Sequence, residues 1–259
     1  MSSLGLDLLL GLSRAAGAAP WTPSTLSGLV LDLRPETATY QDTGLLTLAL
    51  DGHDVASWRD QSGAGHHATQ SNSGRRPTRR DSGLGGGARP RLEFDGASDG
   101  LLLTGWGLGS GGQTVALEFA RRANTISSRL LSLRSGGYWS EIALVNFGGY
   151  AEICLRFGDA TGGSGAAVGW SPTLGTGRHT LEIYYDGSGP GTTGAYAVYL
   201  DGTLATLSTT GVLADSAQMG GLGSYQDASV AATVDVGRVL AYGADHRASR
   251  TLIKTWLDT

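Results

Sequence analysis

Apolar residues recur at every second position along much of this chain. In 114–121, Val115, Leu117 and Phe119 fall on one side and Thr114 and Glu118 on the other; in 179–185, Leu181, Ile183 and Tyr185 share a side until Asp186-Gly187 ends the run. Successive side chains of a strand point to opposite faces, so this period of two predicts half-buried strands. Further strand candidates lie at 29–33, 91–95, 101–103, 130–133, 141–147, 151–157, 196–200, 204–208 and 234–241, punctuated by Gly, Asp, Asn and Ser clusters. Many short strands at this spacing predict an all-β fold, a sandwich of two antiparallel sheets. Asp201-Gly202 is a two-residue type I′ hairpin signal, which needs positive φ at both positions. Helical spacing appears only at the end, where Asp245 stands as a cap and Ala248, Leu252, Ile253, Trp256 and Leu257 form one stripe. A short C-terminal helix is expected there, closing one end of the sandwich. Trp58 and Trp256 read as core.

Composition narrows the class. Glycine supplies 42 of 259 residues without a strict period, which marks turns and excludes collagen. With 40% hydrophobic and 16% charged residues the chain can bury a sizeable core. All-β sandwiches run to roughly 200–250 residues as one unit, so one domain after a short leader is the simpler reading. Net charge is −4 and Lys254 is the sole lysine, which argues against a nucleic-acid binder. The single Cys154 cannot close an intrachain disulfide. No run reaches ~18 consecutive apolar residues, so no transmembrane helix is expected. The leader carries Leu4, Leu6, Leu8, Leu9, Leu10 and Leu12, but it lacks a basic start and Asp7 interrupts it. It is read as a docking segment, residues 1–24, gripping a partner chain or its own domain.

One order of motifs goes further. Val55-Ala56-Ser57-Trp58-Arg59-Asp60-Gln61-Ser62-Gly63 is followed by Ala68-Thr69-Gln70, Arg76-Pro77 and Phe94-Asp95-Gly96, and later by Val198-Tyr199-Leu200-Asp201-Gly202 and 236–242. This succession resembles the laminin-G-like, concanavalin A-like modules of bacterial surface proteins and bacteriophage virion proteins. The resemblance covers roughly residues 25–259 and implies a jelly-roll sandwich.

Relatives of that fold include glucanases with alternating carboxylates on one strand. Glu93 and Asp95 share a face here, but Asp99 stands where a Glu belongs and Gly96 ends the strand, so no catalytic residue is assigned. The resemblance implies calcium as a candidate ligand at the sandwich rim, with Asp95, Asp99, Asp159 and Asp186 at strand ends; capping of their own turns explains the same residues. Trp106, Tyr138, Trp139, Trp170 and Tyr225 lie among Gly and Ser and are the candidate sugar-stacking rim. Arg75, Arg76, Arg79, Arg80, Arg89 and Arg91 crowd one loop region and suggest a subunit or glycan contact. The function expected is a non-catalytic virion structural protein, a capsid decoration or tail-associated protein, displaying a lectin-like module at the particle surface. Its expected partners are other virion proteins, host surface glycans and further copies of itself. A glycoside hydrolase and a secreted adhesion module are the alternatives.

Overall fold

A computed structural model describes residues 21–103, 111–122, 128–135, 138–147, 150–158, 165–170, 174–188, 195–205, 208–213, 221–222 and 233–259. Its strands are β1 (Leu29–Leu33), β2 (Thr39–Tyr40), β3 (Ser57–Trp58), β4 (Ala68–Thr69), β5 (Thr78–Arg80), β6 (Arg91–Asp95), β7 (Leu101–Leu103), β8 (Gln113–Arg121), β9 (Ser128–Ser135), β10 (Tyr138–Phe147), β11 (Tyr150–Gly158), β12 (Gly165–Trp170), β13 (Arg178–Tyr185), β14 (Tyr196–Leu200), β15 (Thr203–Leu204), β16 (Ser208–Leu213), β17 (Gly221–Leu222) and β18 (Thr233–Tyr242). One helix, α1 (Arg250–Asp258), follows them.

The strands form two antiparallel sheets. Sheet A runs β15-β14-β13-β8-β18-β6-β5, with β1 paired to the second half of β18; sheet B runs β16-β12-β11-β10-β9-β17-β7-β4-β3-β2. The predicted alternation places the core. Val115, Leu117, Phe119, Leu181, Ile183 and Val236 of sheet A are buried against Trp58, Leu101, Leu103, Leu131 and Leu222 of sheet B. Each such side chain taken from water contributes about 1.5–3 kcal/mol, which is what holds the two sheets face to face.

Both hairpin and turn signals have their geometry. Asp201 has φ 50° and Gly202 φ 83°, and Leu200 pairs with Thr203 across them. In the Asp-Gln-Ser-Gly motif, Asp60 Oδ1 accepts from the Asp32 and Ser62 amides at 2.9 and 2.8 Å, and Oδ2 accepts from the Ser62 hydroxyl at 2.6 Å. The motif is therefore an anchor that ties this turn to β1.

The structure differs from the sequence expectations in three places. Strand β8 is buried on both faces: Thr114 is 0% and Glu118 1% exposed. Its second face is covered by α1, which lies on the outside of sheet A instead of closing an end of the sandwich. Ile253, Trp256 and Leu257 pack there with Ala116, Tyr184, Leu240 and Tyr242 in a second apolar cluster, joined by Trp21 and Leu26. Leu252 faces outward, 40% exposed. Asp245 caps the turn before α1, accepting from the Arg247 amide at 2.9 Å, while α1 itself starts at Ser249 without a side-chain cap. Lastly, 204–208 is no continuous strand: β15 belongs to sheet A and β16 to sheet B, so the chain changes sheets between them.

Candidate functional site

The carboxylates singled out by sequence do not converge. Glu93 is on the outer side of β6, ion-paired with Arg80 and Arg91 at 3.1 Å and with Arg122 at 2.9 Å. Burial pushes its acidity one way, and these three guanidiniums outweigh it, holding the carboxyl below its usual range. Asp95 accepts from the amides of Ala97, Ser98 and Asp99 at 2.8, 3.0 and 3.1 Å and so caps the Phe-Asp-Gly turn. Asp99 lies under it, and burial together with the nearby Asp95 and Asp54 raises its pKa to about 6. Asp186 caps a different turn through Ser188. The register sets it apart: Tyr185 pairs with Gln113 at the start of β8, whereas Asp95 pairs with Thr233, beside the Val234 that pairs with Arg121 at the far end. Asp95 and Asp186 therefore do not fit a shared calcium site, and Asp159 lies outside the described residues. Among the described residues no three His, Cys, Asp or Glu side chains group to hold a metal ion.

The aromatic candidates also divide. Leu131 and Leu222 are buried in the core and pair with each other; Leu131 also pairs with Ile142, Ile142 with Leu155, and Leu155 with Val168. Counting by twos along the strands, Tyr138 and Trp170 occupy positions in phase with this row and Trp139 a position out of phase with it. Trp139 stands in a row with Arg134 and Gly158, next to a row of Ser132, Glu141, Arg156 and Ala167. Trp106 and Tyr225, and the leader residues Leu4, Leu6, Leu8, Leu9, Leu10 and Leu12, lie outside the described residues.

The arginines expected at a contact surface are used by the fold. Arg76 donates to the carbonyls of Gln41, Gln70 and Ser71, Arg79 to Asp81, Thr39 and Ala49, and Arg91 to Glu93 and the Ser82 carbonyl. Arg91 and Arg122 also pair with Asp235, at 2.9 and 3.1 Å. Burial outweighs these partners and raises Asp235 to about 6.

A feature missed from sequence is built around Glu118. The alternation of β18 slips at Gly237-Arg238, so these two residues oppose the single Glu118, a β-bulge. Glu118 Oε2 accepts from the Arg238 amide at 3.2 Å, and Oε1 accepts from Arg89 and Arg178, each at 2.5 Å. The same arginines reach the end of α1. Arg89 and Arg178 donate to the Leu257 carbonyl and Arg238 to that of Trp256, while Arg238 also pairs with Glu36 at 2.6 Å. Three cations at a helix C-terminus satisfy its orphan carbonyls and oppose its dipole. Beside this clasp lies a cleft lined by Glu36, Arg89, Glu118 and Arg238. The sequence signal was available: Val234 and Val236 are followed by Val239 and Ala241, a one-residue shift in phase.

Among the described residues, the helix and two of the short turns gather on one sheet. α1 and the turns Pro23–Thr25 and Leu84–Gly86 all pack on strands of sheet A. No helix among the described residues is long and apolar enough to cross a membrane.

No protein-family model matches the chain, and no curated protein matches it. Solved structures do. The binding domain of Paraclostridial Mosquitocidal Protein 1 aligns at 10% identity with a TM-score of 0.53, over 88% of this chain and 52% of that one. The receptor binding domain of botulinum neurotoxin type G aligns at 12% identity and 0.53, over 90% and 51%. Domain 4 of AbnA, a GH43 extracellular arabinanase from Geobacillus stearothermophilus solved with arabinotriose, aligns at 13% identity and 0.50, over 87% and 97%. The chain spans about half the length of the two toxin chains. At these identities the likeness is one of fold, a β-sandwich of two antiparallel sheets.

Proposed function

We propose that this protein is a non-catalytic module that binds carbohydrate through the outer face of sheet B and is carried on a bacteriophage particle, as a capsid decoration or tail-associated protein. The register of sheet B carries the reading: α1 and two turns pack on sheet A, whereas on sheet B Trp139, out of phase with the buried Leu131, is in register with Arg134 and Gly158 and beside Glu141 and Arg156. A tryptophan next to a glycine supplies a flat apolar platform for the C–H face of a sugar, and neighbouring Arg and Glu supply donors and acceptors for its hydroxyls. The fold likeness points the same way, since a domain of nearly the same extent was solved with arabinotriose. The non-catalytic part rests on Glu93, whose three arginines hold it as a carboxylate in an ion-pair network.

The virion part rests on the motif order from Val55 to Gly96 and on the leucine-rich leader, read as the segment that grips a neighbouring virion protein. The test is binding of the purified protein and of Trp139→Ala to a panel of bacterial surface glycans, with product release followed in the same wells. Saturable binding without product, weakened at least tenfold in Trp139→Ala, is expected. Silence across the panel overturns the carbohydrate reading, product formation overturns the non-catalytic one, and binding indifferent to Trp139 removes the sheet B face. Deleting residues 1–20 is expected to abolish incorporation into particles while leaving glycan binding intact; incorporation of the shortened chain sinks the docking role.

A further inference from the structure

We infer that the cleft beside the end of α1 is a second binding site, sized and charged for one neutral sugar ring or similar polyol. The open cleft has a volume of about 240 Å³ and is lined by Glu36, Arg89, Glu118 and Arg238 together with Ala88, Pro90 and Thr259. That is room for a ligand the size of a single pyranose.

Charge selects the guest. Two side-chain carboxylates and two guanidiniums line the cleft, and each is already paired: Glu118 with Arg89 at 2.5 Å, Glu36 with Arg238 at 2.6 Å. An ionic ligand has to break one of these pairs, which is costly where Glu118 is 2% exposed. Hydroxyls need no such exchange. Glu36 engages Arg238 through Oε1, leaving its second oxygen as an acceptor. Arg89 spends Nη1 and Nη2 on Glu118 and on the carbonyls of Leu257 and Asp258, leaving Nε–H as a donor. An acceptor on Glu36 and a donor on Arg89, both residues lining the cleft, serve two hydroxyls of one ring, since each hydroxyl both gives and takes. Ala88 and Pro90 present apolar surface to the ring's C–H side. The groups are held by the helix clasp before any guest arrives, so little ordering cost opposes binding.

This site is on the outside of sheet A, whereas Trp139 belongs to β10 of sheet B, and it stands or falls independently of the sheet B face. The experiment is a titration of ¹⁵N-labelled protein with the methyl glycosides of glucose, galactose and mannose and, separately, with glucuronate, read at the Nε–Hε signals of Arg89 and Arg238. Saturable shifts with at least one neutral glycoside are expected. They are expected to vanish in Ala88→Trp, which fills the cleft from an exposed position, and to persist in Trp139→Ala. A thermal melt of Ala88→Trp matching the parent shows that the loss is local. Absence of shifts, shifts that survive Ala88→Trp, or glucuronate binding tenfold tighter than every neutral glycoside each overturns the inference. Glycosides that perturb only Trp139-sensitive signals overturn it while leaving the sheet B reading in place.

Discussion

Arg178 holds Glu118 through Nε at 2.9 Å and Nη2 at 2.5 Å, and the same Nη2 donates to the Leu257 carbonyl at 2.8 Å. One buried carboxylate thus aims two arginines at the end of α1. Burial pulls the Arg178 guanidinium toward losing its charge, and Glu118 and Asp258 more than restore it. Removing the anion strands cations in a covered site. Glu118→Gln is expected to cost about 3 kcal/mol, which in a chain of this size lowers the melting temperature by roughly 10 °C. Lys254→Ala, which breaks an i,i+4 pair with Asp258, is the control and is expected to cost about 0.5 kcal/mol or less. Equal melting shifts for the two variants contradict the clasp.

Glycine substitutions separate close approach from backbone strain. At Gly85, φ 59°, an added Cβ lies 1.9 Å from the Arg178 nitrogen and 2.5 Å from its Cα, so the turn on sheet A has to lift off the clasp. At Gly63, φ 90°, a Cβ meets nothing within 4 Å. Gly63→Ala is expected to cost about 1–2 kcal/mol of left-handed strain, and Gly85→Ala at least twice that. Urea midpoints compare them directly.

Stability is expected to rise on mild acidification. Asp99 and Asp235 have folded pKa values of about 6, above the ordinary 3.8, so between these values the folded chain binds more protons than the unfolded one. Stability from these groups therefore grows as pH falls from 7 to 5, by about 1 kcal/mol each. Below about pH 4 the trend reverses, because Glu93 and Asp95 are held low and lose their partners on protonation. Calorimetry at pH 7, 5 and 3 is expected to show the highest melting temperature at pH 5, with the gain from pH 7 roughly halved in Asp235→Asn.

The hairpin turn at Asp201 gives a fourth outcome. Its Oδ1 accepts from the Thr180 amide at 2.8 Å and its backbone is left-handed. Asn retains both features, whereas Val has no acceptor and a branched Cβ at positive φ. Asp201→Val is expected to be about 2 kcal/mol less stable than Asp201→Asn by thermal melt.

Local signals placed most of the strands. Leu29–Leu33, Arg91–Asp95, Leu101–Leu103 and Tyr196–Leu200 stand where short apolar runs between turn residues put them, because both signals are written in neighbouring residues. The two-residue strands around Trp58 and Ala68 were visible only as pieces of the motif order, being too short to show a period. For the candidate site less was legible. Trp139 was named among five aromatics, but its separation from Tyr138 and Trp170 depends on which row of sheet B contains Leu131, and that is a matter of cross-strand register.

Legible along the chain alone are the class of fold, the turns at Asp60, Asp95 and Asp201, and the amphipathic end that becomes α1, since each depends on the conformational preferences of residues a few positions apart. It took the packing of the sheets to lay α1 outside sheet A, to bury Glu118 in a clasp of Arg89, Arg178 and the Arg238 amide, and to spend the arginine-rich region on internal partners. Those partners lie 29, 60 and 120 residues from Glu118 along the chain. A buried carboxylate takes whatever cations the packing of distant elements brings to it, and no local pattern encodes that meeting.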